Sequence, residues 1–309
     1  MHFRFCWANH EAGSSRRSLE DIVLIVAHQL MALGHTWDIS DDELIVEAPE
    51  PVVNILVEGF EDGPCFADIE RLHDAGARIG ILATEQPTPL GFNWGADPLM
   101  VKRQAFFHRA AALADWIMPL VPGDEVLAWY AQFGKPVAYL PLGFAPTLLV
   151  KPYAGKKRWH FGTYGGAVDK GNRRHAVVKR FAAAGYPVRV VGGFPERAVR
   201  DAEMDQCHAI LQIRPNDDAE LVSSCRIATM LHRGLPVVAE PHKLAQGYDE
   251  LITFAPTEAD FVRTAILVRA TARGTYEAQL QRFQRRFSPQ ACIGRALEQV
   301  GLVGERIAA

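Results

Sequence analysis

The sequence lacks the features by which several large classes of protein are recognised. Its five cysteines, Cys6, Cys65, Cys207, Cys225 and Cys292, form no C-x-x-C pair, which argues against a zinc knuckle and against a disulfide framework. No apolar run approaches the roughly 18 residues of a membrane-spanning helix. The first residues carry charges on both sides of a very short apolar run, unlike a secretory signal peptide. We therefore expect a soluble protein of the reducing cytoplasm.

A basic excess and the common hydrolytic motifs are also missing. The formal net charge is -3, so the composition shows none of the positive balance typical of nucleic-acid binding, and we expect no nucleic-acid partner. The chain contains no H-E-x-x-H, no G-x-x-x-x-G-K-[ST] and no Ser-His-Asp spacing. Metalloprotease, P-loop and serine-hydrolase chemistry therefore have no support.

Short apolar runs alternate with longer amphipathic segments along the whole chain. Continuous apolar strands that are separated by helices are typical of parallel sheets covered on both faces. The sequence therefore predicts an α/β protein made of doubly wound units. The predicted strands cover residues 3–8, 54–59, 77–84, 116–121, 136–142, 158–164, 187–193, 208–213 and 235–240. The predicted helices cover residues 19–33, 98–113, 124–133, 172–184, 196–204, 224–233 and 258–273.

Chain length and one linker-like segment predict two domains. A chain of 309 residues, 49% of them hydrophobic, is longer than a single core comfortably fills. Residues 142–158 are rich in Pro, Gly and Lys and show no clear period. We therefore place an N-terminal domain at 1–145, a C-terminal domain at 146–290 and a closing helix at 291–309, which can pack back on the N-terminal domain.

Open parallel sheets bind ligands at the carboxyl ends of their strands, and in the C-terminal half these positions carry glycines and arginines. Glycines allow a ligand to approach the backbone, and basic side chains attract phosphate. Simple turn chemistry is the alternative for each glycine. The ring of Phe194 either stacks on a nucleobase or fills the core. The candidates at these strand ends are Gly165, Gly166, Lys170, Arg173, Gly193, Phe194 and Arg214.

The segment "SSCRIATMLHRGLPVVAEP", residues 223–241, begins a predicted helix with two hydroxyls and a cation. Ser223 or Ser224 can cap the helix, and the free amides, the helix dipole and Arg226 together make an anion site. The alternative is one ordinary cap and a solvated arginine. Glu240 ends the strand that follows, where it either accepts hydrogen bonds from ribose or sugar hydroxyls or is an ordinary loop residue.

The pattern S-x-R-x-x-T-x-x-x-x-G-L-P-V-V-A-E resembles the donor-binding segment of GT-B glycosyltransferases, in the bacterial group related to the group 1 and CgeB-like enzymes. That group has a glutamate three residues after the arginine, where this chain has Thr229, so the ribose contact is weaker or comes from elsewhere. The residues that match are Ser224, Arg226, Gly234, Pro236, Val237 and Val238.

Two further segments extend the resemblance over most of the chain. They are "TEQP" followed by "FN", at residues 84–93, and "YLPLGFAP", at residues 139–146. The resemblance implies two Rossmann-like domains that face a cleft, with a nucleoside diphosphate sugar bound by the second and an acceptor bound by the first. It also implies no metal and no cofactor, because helix amides and basic side chains stabilise the diphosphate leaving group.

The first half offers candidates for the base and for acceptor binding. Transfer with inversion needs one base near the acceptor hydroxyl, and neutral imidazole is available near pH 7. His10, in the loop after the first strand, is the preferred base. Asn93 and Trp94 present an amide and an aromatic face that suit a sugar or peptide, although Trp94 can equally anchor the loop. The rival bases are Glu11, Asp62 and Glu85.

These observations predict a metal-independent, hexosyltransferase-like glycosyltransferase whose acceptor is a carbohydrate, a lipid-linked sugar or a protein. Two alternatives stay open. A nucleotide-sugar epimerase of the same fold would need no acceptor. A non-catalytic nucleotide-sugar-binding protein or partner subunit would bind the donor without consuming it, and the departure at Thr229 is what such a protein would show.

Overall fold

The chain folds into two compact α/β units. The first comprises residues 1–142 together with 289–309, and the second comprises residues 143–288. The sequence placed these boundaries after residues 145 and 290. The computed structural model describes residues 1–7, 13–40, 52–57, 64–93, 97–165, 172–193, 195–214, 222–242 and 247–302.

The first unit is a five-stranded parallel sheet of order β2-β1-β3-β4-β7. Its strands are β1 His2–Trp7, β2 Thr36–Ser40, β3 Val52–Val57, β4 Arg78–Ala83 and β7 Trp116–Pro119, and a small hairpin is formed by β5 Pro87–Thr88 and β6 Gly91–Phe92. Its helices are α1 Gly13–Ala32, α2 Pro64–Asp74, α3 Pro98–Leu113 and α4 Asp124–Ala131.

The second unit repeats this plan, with a parallel sheet of order β12-β11-β10-β8-β9. Its strands are β8 Trp159–Tyr164, β9 Val188–Val191, β10 Cys207–Gln212, β11 Val237–Ala239 and β12 Thr253–Phe254. Its helices are α5 Arg173–Ala183, α6 Arg197–Met204, α7 Ser224–His232, α8 Phe261–Ala270 and α9 Ala272–Arg286; a π-helical turn at Gln290–Gly294 then leads into α10 Arg295–Gln299, which belongs to the first unit.

The alternation of short apolar runs with longer amphipathic segments explains why the chain forms strands and helices in turn. The central strands β3, β4 and β10 are almost entirely buried, as expected for parallel strands covered on both faces. One cluster joins Phe161 of β8, Phe181 of α5 and Phe261 of α8, all fully buried. The fold class predicted from the sequence, α/β with two Rossmann-like doubly wound units, is confirmed.

Several elements differ from the prediction. The strands β2 and β12, the helix α2 and the hairpin β5–β6 were not predicted. Helix α1 begins at Gly13 rather than at residue 19. The predicted helix at 258–273 is divided, since α8 ends at Ala270 and α9 starts at Ala272.

The predicted strand at residues 136–142 is wrong. The segment runs beside β7 and makes a single bridge, between Ile117 and Val137. Its backbone still exchanges hydrogen bonds with β7, such as Leu140 N to Pro119 O at 2.9 Å. Pro119 of β7 interrupts this pairing, because a proline has no amide hydrogen to donate to the neighbouring segment.

Within the described residues, no helix is both long enough and apolar enough to cross a membrane.

We expect Gly80→Ala to destabilise the protein. A Cβ at this position of β4 would fall within the indole ring of Trp116 on β7, so the ring has to move out of a packed core at a cost of about 1–3 kcal/mol. Urea unfolding measures the change. Gly274→Ala in α9 is the control, since its Cβ would meet nothing within 4 Å, and alanine there should be neutral or stabilising by up to about 1 kcal/mol.

Two histidines on neighbouring strands are held in a setting that disfavours their protonation. His160 of β8 and His208 of β10 stack with ring centroids 6.5 Å apart. Burial, and then the charge of Arg269, lower the pKa of each ring from the ordinary value of 6.5. The unfolded chain therefore binds more protons than the folded chain as the pH falls through 6.5.

This setting predicts a loss of stability on mild acidification. Stability is fully present above pH 6.5 and decreases as the pH falls below it, since folding then has to exclude protons that the unfolded histidines accept. The thermal midpoint should be lower at pH 5.5 than at pH 7.5, and this decrease should be smaller in His208→Gln. Equal falls in the two proteins would show that His208 does not contribute.

Candidate functional site

The strand order of the second unit places a topological switch point between β8 and β10, and the carboxyl-end side of the sheet at this point is called the ligand edge below. The chain leaves β8 toward β9 and then returns to form β10 on the other side of β8. Loops diverge at such a switch point, and open α/β sheets bind ligands there. The residues at this point are Tyr164 at the end of β8, Gly165 directly after it, and Gln212 at the end of β10.

Helix α7 begins at the same edge, directly after β10 and its loop. Ser223 is its N-cap, and the Ser223 hydroxyl accepts a hydrogen bond from the amide of Arg226 at 3.3 Å. Ser224 is the first helical residue and is half-buried. One of the two predicted hydroxyls is therefore an ordinary cap, while the free amides of the first turn still favour an anion.

The guanidinium of Arg226 lies inside this edge, and the residue is only 7% exposed. Its Nη1 donates a hydrogen bond to Oε1 of Gln212, and the group lies over the ring of Tyr164, 5.1 Å from the ring centre. Gly165 makes room for it: at φ +94°, a Cβ there would come within 2.9 Å of Nη2. The Nε of Arg226 is buried and has no hydrogen-bond partner in the described part of the chain.

No carboxylate pairs with Arg226 among the described residues. Burial lowers the pKa of Arg226, and none of the groups that act on its charge is an aspartate or a glutamate. Arg200, the other buried arginine of the described segments, is paired with Asp201 at 2.7 Å. A buried charge without a counter-ion is costly, so Arg226 is poised to accept an anion.

Neighbouring arginines add to the positive potential at this point. Burial, and then the like charge of Arg226, lower the pKa of Arg174 to about 10. Arg200 lies on the Tyr164 ring, 4.9 Å from its centre. Tyr164, Arg200 and Gln212 were not among the residues predicted from the sequence; the one signal available was a polar glutamine within the apolar run "AILQI".

Arg173, Arg214 and Glu240 form a network of their own beside the anion site. Glu240 is fully buried and accepts two hydrogen bonds from Arg173, at 2.7 and 2.8 Å, and one from the amide of Arg214, at 2.7 Å. Glu258 pairs with both arginines from the solvent side. In this geometry Glu240 orders the loop at Arg214 and offers no exposed oxygen for the predicted ribose contact.

His242 presents an unpaired acceptor at the end of β11. Its Nδ1 donates to the carbonyl of Glu240 at 2.7 Å, so its Nε2 carries the lone pair. That Nε2 is buried and has no partner among the described residues, and burial lowers the pKa of the ring and favours its neutral form. The hydroxyl of Thr229 in α7 is likewise buried without a described partner.

In the first unit, Glu85 and Asn93 hold a loop together. Glu85 follows β4, and its carboxylate accepts from Arg103 at 3.1 Å and from the side-chain amide of Asn93. Asn93 adopts a left-handed backbone (φ +49°) and also bonds the Gln86 amide through its Oδ1 at 2.9 Å. These contacts stabilise the hairpin, so neither side chain is set up for the predicted roles of base and acceptor contact.

The remaining predicted residues divide into one that is described and seven that are not. Gly193 lies two residues after β9 with φ +69°, a left-handed turn that favours glycine. The others lie outside the described residues and are His10, Glu11, Asp62, Trp94, Gly166, Lys170 and Phe194.

No group of three or more His, Cys, Asp or Glu side chains that is suited to hold a metal ion occurs within the described segments.

Comparison with solved structures identifies the fold. The T4 phage β-glucosyltransferase with its UDP-glucose substrate superimposes with a TM-score of 0.59 at 11% identity, over 98% of this chain and 100% of that one. The trehalose 6-phosphate synthase of Burkholderia multivorans gives a TM-score of 0.54 at 11% identity, over 97% and 98%. The chain has the GT-B fold. No protein-family model matches the sequence, and no curated protein matches it.

The GT-B fold agrees with the resemblance carried by residues 224–240. At 10–13% identity these structures establish the architecture and leave the chemistry to the residues of this chain. One structure of the T4 phage enzyme contains UDP and Mn²⁺. The matched β-glucosyltransferase is a DNA-modifying enzyme.

The buried Glu240 predicts an asymmetric response to charge removal. Glu240→Gln leaves Arg173 without its buried partner and should destabilise the protein by about 3–5 kcal/mol. Glu258→Gln removes the exposed partner of the same arginine, 46% exposed, and should cost less than about 1 kcal/mol. Urea unfolding of both variants measures this difference, and similar costs would contradict the structural role of Glu240.

Proposed function

We propose that the protein is a glycosyltransferase that transfers a sugar from a nucleoside diphosphate sugar to an acceptor. The observation that carries the proposal is the buried guanidinium of Arg226, which lies at the topological switch point of the second unit without a described carboxylate partner. The GT-B fold supports it, because one structural neighbour at 98% coverage, the T4 phage β-glucosyltransferase, has UDP-glucose as its substrate.

Arg226 is placed to stabilise the leaving group. Breaking the bond between the sugar and the diphosphate leaves negative charge on the diphosphate, and a fixed cation in a dry site stabilises that charge without reorganisation. The amides at the start of α7 add donors with the correct dipole direction. Arg174 supplies a second positive charge close by.

We assign the contacts around the diphosphate as follows. Tyr164 and Gln212 hold the guanidinium of Arg226, and Gly165 leaves space for it. Arg173, Arg214 and Glu240 order the neighbouring loop. His242, with its Nε2 lone pair available, takes the role of accepting a hydrogen bond from a donor hydroxyl, in place of Glu240.

The acceptor side is proposed in coarser terms. The first unit would bind the acceptor, and His10 is retained as the base, with Glu11 as its rival. The acceptor classes under test are carbohydrates, lipid-linked sugars, proteins and duplex DNA. Duplex DNA is included because a structural neighbour is a DNA-modifying enzyme, although the net charge of -3 favours the other classes.

We further propose that transfer needs no metal ion, since arginines and helix amides can supply the positive charge that a metal would otherwise bring to the diphosphate. Activity measured with EDTA and with added Mn²⁺ tests this directly. Equal rates support the proposal, whereas a rate that depends on Mn²⁺ overturns it.

The first experiment measures nucleotide binding to the wild type and to Arg226→Ala. UDP, GDP, dTDP, CMP and ADP are tested by thermal unfolding, because a ligand that binds only the native state raises the midpoint. We expect one diphosphate to stabilise the wild type and to bind Arg226→Ala at least about tenfold more weakly, the effect of about 1.4 kcal/mol or more. Arg273→Ala, in α9 and 92% exposed, is the matched control and should bind normally.

Donor turnover then separates the enzyme from the alternatives. Consumption of UDP-glucose with a labelled product on one acceptor supports transfer. Interconversion of the sugar without an acceptor would identify an epimerase, and stabilisation without consumption would identify a non-catalytic binder. If no nucleotide shifts the transition, the glycosyltransferase proposal fails.

A further inference from the structure

We propose that Gln212 is a positioning residue that orients Arg226 for an anion while leaving its positive charge unneutralised. This inference rests on the proposed function, in which Arg226 receives the diphosphate of the donor. It adds a reason why the partner of this buried arginine is an amide rather than a carboxylate.

The geometry fixes Arg226 from three sides with neutral groups only. Gln212 ends β10, is 3% exposed and accepts the Nη1 hydrogen bond. Tyr164 presents its ring face, and Gly165 presents bare backbone. The side chain is therefore held in one place at the ligand edge, and its full charge remains available.

Two other arginines of this unit have a carboxylate as their partner where Arg226 has the amide of Gln212. Arg200, equally buried at 7% exposed, donates to Asp201 at 2.7 Å and 2.9 Å. Arg173 is bound to Glu240 by two hydrogen bonds. In both pairs a carboxylate is the direct hydrogen-bond partner of the cation.

An amide gives orientation without neutralisation. The Gln212 oxygen accepts a charge-assisted hydrogen bond, which is about twice as strong as a neutral one. It carries no net charge, so it does not compete with a phosphate for the guanidinium. A glutamate at the same position is nearly the same size and shape, and would occupy the cation that the diphosphate needs.

The decisive variant is Gln212→Glu, with inorganic pyrophosphate and UDP as probes in calorimetric titrations. We expect both ligands to bind at least about tenfold more weakly than to the wild type, while the thermal midpoint without ligand stays the same or rises. Loss of affinity with retained stability is a result that a purely structural role for Gln212 would not give. Unchanged affinity for both ligands in the folded variant overturns the inference.

A second variant keeps the test decisive if Gln212→Glu does not fold. Gln212→Met keeps the volume and removes the acceptor, so the guanidinium keeps its charge and loses its orientation. Pyrophosphate should then bind more weakly than to the wild type, and equal affinity overturns the inference. Gln279→Met is the matched control: Gln279 is also buried, at 2% exposed, but bonds only the backbone of Val237 and the Thr253 hydroxyl, so its loss should leave pyrophosphate affinity unchanged.

The pair of probes separates this inference from the proposed function. If wild-type protein binds pyrophosphate but no nucleotide, the glycosyltransferase proposal fails and the role of Gln212 is still tested by pyrophosphate. If Arg226→Ala loses UDP binding while Gln212→Glu keeps it, the proposed function stands and the inference about Gln212 fails.

Discussion

The structure of the candidate site depends on one constraint, the burial of a guanidinium without a counter-ion among the residues that the structure describes. Placing Arg226 in the interior costs free energy that a carboxylate would normally offset. Here a glutamine oxygen, an aromatic face and a glycine backbone hold the group instead. Such an arrangement leaves the cost to be recovered when an anion binds, which is how a site can favour a charged leaving group over a resting state.

The fold was largely predictable because its main signals are local. Apolar runs separated by amphipathic segments identified the central strands of both sheets, since strands buried on both faces must be apolar throughout. The edge strands β2 and β12 were not predicted, because they are not buried on both faces and need not be apolar throughout. Strand β2 has no fully buried residue, and β12 contains two residues. The error at residues 136–142 has the opposite cause, because that segment is apolar enough for a strand but lies beside Pro119 of β7, which has no amide hydrogen to continue the pairing.

The candidate site was predictable in position and not in its pairings. Strand ends and the helix beginning at Ser224 singled out Arg173, Arg214, Arg226 and Glu240, which lie near the carboxyl ends of β10 and β11, while their role as donor contacts stays a prediction. A sequence does not show which arginine meets which carboxylate when the partners are far apart: Arg173 and Glu240 are separated by 67 residues, and Arg214 and Glu258 by 44. From the sequence, the four residues therefore looked alike as donor contacts. In the structure, Arg173 and Glu240 form an ion pair, whereas Arg226 has no carboxylate partner among the described residues.

This distinction changes how the departure at Thr229 is interpreted. A glutamate three residues after Arg226 would lie one helical turn away on the same face, close enough to compensate the charge of the guanidinium in part. Threonine offers a hydroxyl and no charge. Together with Gln212, it leaves the surroundings of Arg226 neutral on β10 and on α7. A degraded donor site would be expected to lose its cation or to bury it against a carboxylate, as Arg200 is buried against Asp201. The retention of an uncompensated Arg226 at the switch point of the sheet therefore favours a working anion site over a vestigial one.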